Sequence, residues 1–190
     1  MDRRIRKTKK AFYEAFLKLL ETQNLQQITV TAIVKEADVN RSTFYKHYTE
    51  KEDLLNEIIE SVLGDLQAAY NDPYQRDTSF NAQNLQPYMI KIFDHVYKHQ
   101  LFYRHVISSK ISPNFQNRVC HVIQDLVLRD ATKSTIPKDL NPSILTSYQA
   151  HAIFGTIVYW VENNFSETSD YMSKQLFLIL KTQHQLDSSK

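Results

Sequence analysis

The chain predicts an all-α protein, and three observations carry that expectation. Only two glycines and five prolines occur in 190 residues, too few for a fold rich in hairpin turns. Apolar residues recur at three- and four-residue spacing through most of the sequence, the period of a helix face. Eleven tyrosines and ten phenylalanines supply large side chains for interiors between helices. The expected architecture is a helix-turn-helix unit of three helices at residues 1–51, followed by a larger helical domain at 52–190.

Taken in order, Ile5, Thr8 (through its methyl), Phe12, Ala15, Phe16, Leu19 and Leu20 form one apolar stripe on a first helix. Arg3, Arg4, Arg6, Lys7, Lys9 and Lys10 crowd its first turns. The helix dipole prefers acids there, so the placement makes better sense beside phosphates. Thr29 is a good N-cap for a second helix, VTAIVKEA, with Ala32, Ile33 and Ala37 inward. Asp38-Val39-Asn40 form a turn, and Asn40 caps a third helix, RSTFYKHY, with Phe44 inward. Thr49-Glu50-Lys51-Glu52 is a capping box of the T-x-x-E kind, opening a fourth helix through Tyr70. Its buried side is Leu54, Leu55, Ile58, Ile59, Val62 and Leu66.

Asn71 to Pro87 reads as a polar loop. Helices follow at 87–98, 100–109 and 113–132, then a loop with Pro137 and Pro142, then helices at 143–164 and 168–184. The helix at 143–164 is apolar on two sides: Leu145, Tyr148, Ala152, Gly155 and Tyr159 on one, Ile153, Ile157, Trp160 and Val161 on the other. A helix apolar on two sides is buried on two sides. Mid-helix Gly155 costs about 1 kcal/mol of propensity relative to Ala and permits close approach by another helix. Tyr148, Ala152, Gly155 and Tyr159, with Leu176 and Leu180 of the last helix, are therefore the candidate two-fold dimer interface. Intramolecular core on both faces is the alternative.

The net charge of +2 hides an asymmetry. Residues 1–51 hold 11 basic against 6 acidic side chains, and residues 52–190 hold 12 against 15. A basic amino-terminal part suggests a polyanion partner for that part alone. The single cysteine, Cys120, excludes an internal disulfide framework and fits a reducing compartment. The first helix carries Glu14, Lys18 and Glu21 where a signal peptide would be apolar, and no run of 18 apolar residues occurs. A cytoplasmic protein with no membrane partner is expected.

The helix-turn-helix layout, with its second helix in the major groove, assigns chemistry to particular residues. Arg41, Ser42 and Thr43 stand at the start of that helix, where side chains meet base edges. Arg can bond guanine O6 and N7 in two-pronged fashion, and Ser and Thr donate, accept or touch a thymine methyl. Tyr45, Lys46 and His47 follow, suited to phosphate and sugar contacts that fix register. Lys51 lies in the first turn of the fourth helix, an end that attracts anions.

The stretch from Ile28 through TVTAIVKEADVNRSTFYKHYTEKEDLL resembles the DNA-binding domain of tetracycline-repressor-like (TetR/AcrR) regulators. The likeness covers Ile5 to about Leu55 and includes Thr43, Tyr45, His47 and Lys51. AHAIFGTIVYWVENNF is similar to a helix of the family's Firmicutes-type regulatory domains, with Gly155 and Trp160 in place. The resemblance implies base or groove contacts from Thr31, Arg41, Ser42, Thr43 and Tyr45, and phosphate contacts from Thr29, His47 and Lys51. It also implies an all-α homodimer on double-stranded DNA, whose larger domain binds a small-molecule effector. The family's turn carries Gly where this chain has Asp38, and Asp is among the residues that best tolerate the left-handed conformation needed there.

Other chemistry is poorly supported. His95 and His99 share a helix face, and His105, Cys120, His121 and His151 are further candidates, but no ligand set at a telling spacing exists, so no metal or other cofactor is expected. No Gly-rich phosphate loop or G-x-S-x-G elbow occurs, and adjacent Cys120 and His121 point to opposite sides of a helix. An enzyme is not expected. Tyr97, Phe102, Tyr103, Tyr148 and His151 are the candidate lining of an effector cavity, with plain core packing as the alternative for each. The expected function is a DNA-binding transcriptional regulator, a repressor released from a palindromic operator by its effector. The alternative is a coactivator on the same fold that recruits a partner protein.

Overall fold

The computed structural model describes residues 3–76, 85–108, 113–131 and 139–187. Among them the helices are α1 (Arg3–Leu20), α2 (Val30–Glu36), α3 (Arg41–Tyr45), α4 (Lys51–Arg76), α5 (Ile92–Lys98), α6 (Gln100–Ser108), α7 (Pro113–Ala131), α8 (Pro142–Glu162) and α9 (Ser169–Asp187), with 3₁₀ turns at Leu25–Gln27 and Pro87–Met89. No strand occurs among the described residues, so the all-α class holds. Among them, too, no helix is long and apolar enough to cross a membrane.

The chain forms two compact units, Met1–Val62 with Leu101–Ile111, and Leu63–Gln100 with Ser112–Lys190. The expected division at 51/52 thus falls at the start of α4, whose first turns bury Leu54, Ile58, Ile59 and Val62 and belong to the first unit. That unit also buries Phe12, Phe16 and Leu20 of α1, Ile33 of α2, Phe44 of α3, and Phe102 and Tyr103 of α6. Each such side chain, fully buried, stabilises the fold by about 1.5–3 kcal/mol.

In the second unit Trp160 of α8 gathers an aromatic cluster. Phe93 lies 5.7 Å from it edge-on, Phe165 5.0 Å edge-on, and Tyr97 6.1 Å stacked. The indole Nε1–H donates to the Glu167 carbonyl at 3.0 Å. Two further hydrogen bonds tie α9 to the α5 region, from Ser169 Oγ to Asp94 Oδ1 (2.7 Å) and from Ser173 Oγ to the Ile90 carbonyl (2.9 Å). His95 is buried on α5 with its ring 4.7 Å from that of His99. Burial first, and His99 second, push the His95 pKa down to about 3.

Several boundaries differ from the sequence reading. The fourth helix continues past Tyr70 to Arg76 with Pro73 inside it, although an interior proline costs about 3 kcal/mol. The extra turn is held from α7, where Arg129 Nη2 donates to Asn71 Oδ1 at 2.7 Å and the guanidinium lies 5.3 Å from the Tyr74 ring centroid. Residues 77–84 of the expected loop, and the expected loop at Pro137, lie outside the described residues. The third helix ends at Tyr45 rather than Tyr48. Residues 87–91 form a 3₁₀ turn and a break before α5. The capping box is shifted by one residue: the Asp53 carboxylate, not Glu52, accepts the Thr49 and Glu50 N–H groups at 2.7 and 3.1 Å.

Two helices end in the same hydrogen-bonded turn without glycine. After α2 the Val39 N–H donates to Val34 O (3.0 Å) and the Asp38 N–H to Lys35 O (3.3 Å). After α8 the Phe165 N–H donates to Trp160 O (2.9 Å) and the Asn164 N–H to Val161 O (3.0 Å). These are Schellman pairings. They set Asp38 at φ 51°, and Asn164 and Phe165 at φ 54° and 55°.

On α8 the inner side, including Thr146, Ala150, Ile153, Phe154, Ile157, Trp160 and Val161, is buried. The outer stripe is exposed within the chain, with Ile144, Tyr148 and Tyr159 at 67%, 59% and 62% and Ala152 and Gly155 between them. A Cβ placed on Gly155 would meet nothing within 4 Å, so the close helix approach expected there is not made among the described residues. Of the two α9 residues expected at a dimer face, Leu176 is 5% exposed and Leu180 is half-buried. The outward apolar residues of α9 are Tyr171, Leu178 and Ile179.

Two outcomes are expected. A left-handed residue with a β-branched side chain is strained, so Asp38→Val should lower unfolding stability in urea by about 1–2 kcal/mol, while Asp38→Gly should leave it equal or higher. An unfolded histidine titrates near the usual 6.5 and His95 in the fold near 3. The unfolded chain therefore takes up a proton first, and stability falls as pH drops from about 6.5 towards 3. His95→Gln should flatten that part of the stability–pH curve; an unchanged slope would exclude His95 as its source.

Candidate nucleic-acid interface

The surface segment that carries the sequence-predicted contacts is built from caps inward. Thr29 Oγ1 accepts the Ala32 N–H at 3.2 Å and starts α2. Asn40 Oδ1 accepts the Ser42 N–H at 2.8 Å and so starts α3. It also accepts from Ser42 Oγ at 2.8 Å, which fixes that hydroxyl close to the cap. A helix of five residues has almost no stability of its own. Its anchor is Phe44, 0% exposed, with its ring edge-on to Phe12 at 5.4 Å and tilted against Tyr48 at 5.3 Å.

With Phe44 inward, the neighbouring side chains are turned out. Arg41, Ser42, Tyr45 and Lys46 are exposed, as are Thr29 and Thr31 at the start of the preceding helix region; Thr43 and His47 are half-buried. Arg41 and Tyr45, one turn apart, are brought together: Arg41 Nη2 donates to Tyr45 Oη at 3.3 Å, and the guanidinium stands 5.7 Å from the ring centroid. A guanidinium laid against a phenol ring loses part of its rotamer freedom before any ligand arrives. The i, i+4 spacing of Arg and Tyr is the sequence signal that would have shown this pairing.

The basic residues of α1 are not equivalent. Lys9 pairs with Glu57 at 2.7 Å and its Nζ stands 5.6 Å from the Tyr48 ring centroid. Lys10 pairs with Glu14 at 3.5 Å. Arg3, Arg4, Arg6 and Lys7 are exposed, on a helix with no acid in its first turn. Lys18 pairs with Glu36 of α2, which pushes its pKa up.

Lys51, expected as a phosphate ligand, lies at the start of α4 and is half-buried. Its Nζ donates to the carbonyl oxygens of Leu25, Gln26 and Ile28, so the ammonium turns towards the chain. Nothing in local sequence signals this contact, which joins residues 23 to 26 positions apart.

The five effector-cavity candidates divide between the units. Phe102 and Tyr103 are buried in the first, with ring centroids 5.8 Å apart. In the second, Tyr97 is half-exposed and stacks on Trp160, while Tyr148 and His151 lie on the outer face of α8. His151 Nδ1–H donates to the Ser147 carbonyl at 2.8 Å. His99 Nε2 lies 3.1 Å from Asp65 Oδ2. Among the described residues no group of three His, Cys, Asp or Glu is placed to hold a metal ion.

Residues 8–58 match the family described as bacterial regulatory proteins, tetR family, and residues 83–182 match a transcriptional regulator C-terminal region. A 61-residue stretch is 41% identical to YxbF of Bacillus subtilis (strain 168), an uncharacterized HTH-type transcriptional regulator; it covers 32% of this chain and 16% of that relative's length. A match of 151 residues, 26% identical, covers 77% of this chain and 75% of DhaS of Lactococcus lactis subsp. lactis (strain IL1403), the HTH-type dhaKLM operon transcriptional activator. Among solved structures, the dihydroxyacetone kinase operon activator DhaS superposes with a TM-score of 0.70 at 23% identity, over 94% of this chain and 97% of that one. A TetR transcriptional regulator from Streptococcus agalactiae 2603V gives 0.67 at 25% identity, over 94% and 96%. Thermus thermophilus FadR, a repressor solved with lauroyl-CoA, gives 0.57 at 16% identity, over 90% and 92%.

Proposed function

This chain belongs to the tetR family of bacterial transcriptional regulators, and from that premise we propose that it works as a homodimer on a near-palindromic operator, as a repressor released by a small-molecule effector. The observation that carries the DNA-reading assignment is the outward face of α3. Arg41, Ser42, Thr43 and Tyr45 project from a helix whose position Phe44 fixes. In this reading Arg41, Ser42 and Thr43 meet base edges, with Thr31 and Tyr45 in the groove. Lys46, His47 and Thr29 hold phosphate and sugar and set the register.

The dimer is proposed from the outer stripe of α8. Tyr148, Ala152, Gly155 and Tyr159 form an apolar strip left exposed by the chain's own packing, and Tyr171, Leu178 and Ile179 on α9 are exposed in the same unit. A helix-central glycine with open space over it suits close approach by the same helix of a second copy, an isologous contact. Two readers in such a dimer would address major grooves about 34–36 Å apart. The effector is proposed to bind in the second unit, with Tyr97, which stacks on Trp160, as a candidate contact. Because effector and operator favour different conformers, each weakens the other's binding by the same factor.

A second reading is favoured by one observation: the relative matched over 151 residues is named an activator. The same fold would then act as a coactivator that recruits a partner protein. Selecting duplexes from a pool of genomic fragments separates the two. Enrichment of one palindrome supports the operator-binding reading; a folded dimer that enriches nothing at moderate salt supports the coactivator. On the enriched duplex, Arg41→Ala should cost about 1–3 kcal/mol and relax the preferred base at one position. An equal loss on every sequence would remove Arg41 from base reading. Tyr159→Glu should shift the protein from dimer to monomer in sedimentation; an unchanged dimer would reject the α8 face.

A further inference from the structure

Ser42 is exposed on α3, with its side chain tied to the cap beside it. Asn40 Oδ1 lies 2.8 Å from the Ser42 backbone nitrogen and 2.8 Å from Ser42 Oγ. A backbone N–H can only donate, so the Asn40 atom it faces is the amide oxygen, an acceptor with no hydrogen of its own. The hydroxyl that meets the same atom must therefore donate to it. A serine hydroxyl has one proton and two lone pairs. With the proton committed to Asn40, the hydroxyl offers a ligand lone pairs alone. Arg41, its neighbour, is the opposite case. A guanidinium has five N–H donors and no acceptor, and Arg41 Nη2 donates to Tyr45 Oη at 3.3 Å.

We propose that Ser42 is a specificity-determining residue that accepts a hydrogen bond from the exocyclic amino group of a base, adenine N6 or cytosine N4, and disfavours guanine O6 or thymine O4 at the same place. The proposal deepens the DNA-reading assignment above and rests on it. Every base pair carries one amino group in the major groove, on its adenine or its cytosine. On the strand that Ser42 faces, A and C therefore present a donor there, and G and T an acceptor. Two acceptors brought face to face leave both unpaired, a loss on the scale of one hydrogen bond. Without Asn40 the same hydroxyl would rotate to suit either edge. The sense of the readout thus comes from the residue that caps the helix, and Asn40 acts on the operator through Ser42.

The test uses the full chain and the duplex it selects, with each of the four bases placed in turn at every position of both half-sites. Ser42→Ala should flatten the preference at one position. There the unsubstituted protein should bind duplexes with A or C about three- to tenfold more tightly than those with G or T. Asn40→Gly keeps an accepted N-cap but frees the hydroxyl proton, so that ratio should fall towards one while the base preferred by Arg41 stays the same. Asn40→Asp keeps an acceptor at the cap and should keep the ratio; its added charge weakens all duplexes alike. A preference for G or T at the Ser42 position, an unchanged ratio in Asn40→Gly, or no position altered by Ser42→Ala would overturn the proposal. If Asn40→Gly does not fold, Asn40→Asp decides, and loss of the ratio in that variant overturns it. If no duplex is selected, the DNA-reading assignment fails and the proposal with it. If a duplex is selected and Arg41→Ala relaxes one position while the Ser42 ratio is absent or reversed, the assignment stands and only the proposal fails.

Discussion

The first unit depends on the burial of one ring. Phe44 is the fourth residue of a five-residue helix and closes against Phe12 of α1 and against Tyr48 just beyond the helix. Helix formation alone cannot hold so short a segment; its shape comes from tertiary contact and from the Asn40 cap. Because the anchor lies between Thr43 and Tyr45, the direction in which those side chains face is fixed by core packing. Surface chemistry is here a consequence of interior geometry, which is why a protein can present polar side chains in a set pattern without a network linking them.

Helix termini do comparable work elsewhere. The Schellman turns after α2 and α8 put non-glycine residues into a conformation that most side chains avoid. Each is offset by a contact beside it. Phe165 is strained at φ 55° yet packs on Trp160 at 5.0 Å, the hydrophobic contact that accompanies this motif. Asp38, smaller and polar, adopts the turn more readily, and Val34 and Val39 flank it with the 3.0 Å hydrogen bond between them.

Much of this could be read from sequence because it is local. Thr29 and Asn40 as caps, Phe44 as the inward residue and the left-handed Asp38 all follow from residue type and spacing over a few positions, and the structure has each of them. What escaped was long-range. Local propensity ends the fourth helix before Pro73, and only the side chain of Arg129, 58 residues from Asn71, shows why it continues. Lys51 looks like a surface cation until the carbonyls of residues 25–28 are seen beside it. Leu176 shares the apolar periodicity of α9 with Leu178 and Ile179, and periodicity cannot say which side of a doubly apolar helix meets its own core. The shift from Glu52 to Asp53 at the start of α4 is a one-residue error in register, where two adjacent acids gave the pattern two places to begin.

The outer stripe of α8 has a bearing on abundance. Ile144, Tyr148 and Tyr159 face solvent in the single chain, and apolar surface of this kind favours association. In the proposed dimer its burial adds to fold stability by mass action, so the melting temperature rises with protein concentration. A cell making few copies would then hold more of the protein as the less stable monomer, open to proteolysis and unable to span two half-sites. Copy number would act as a second input, alongside any ligand, on how much of the regulator is competent.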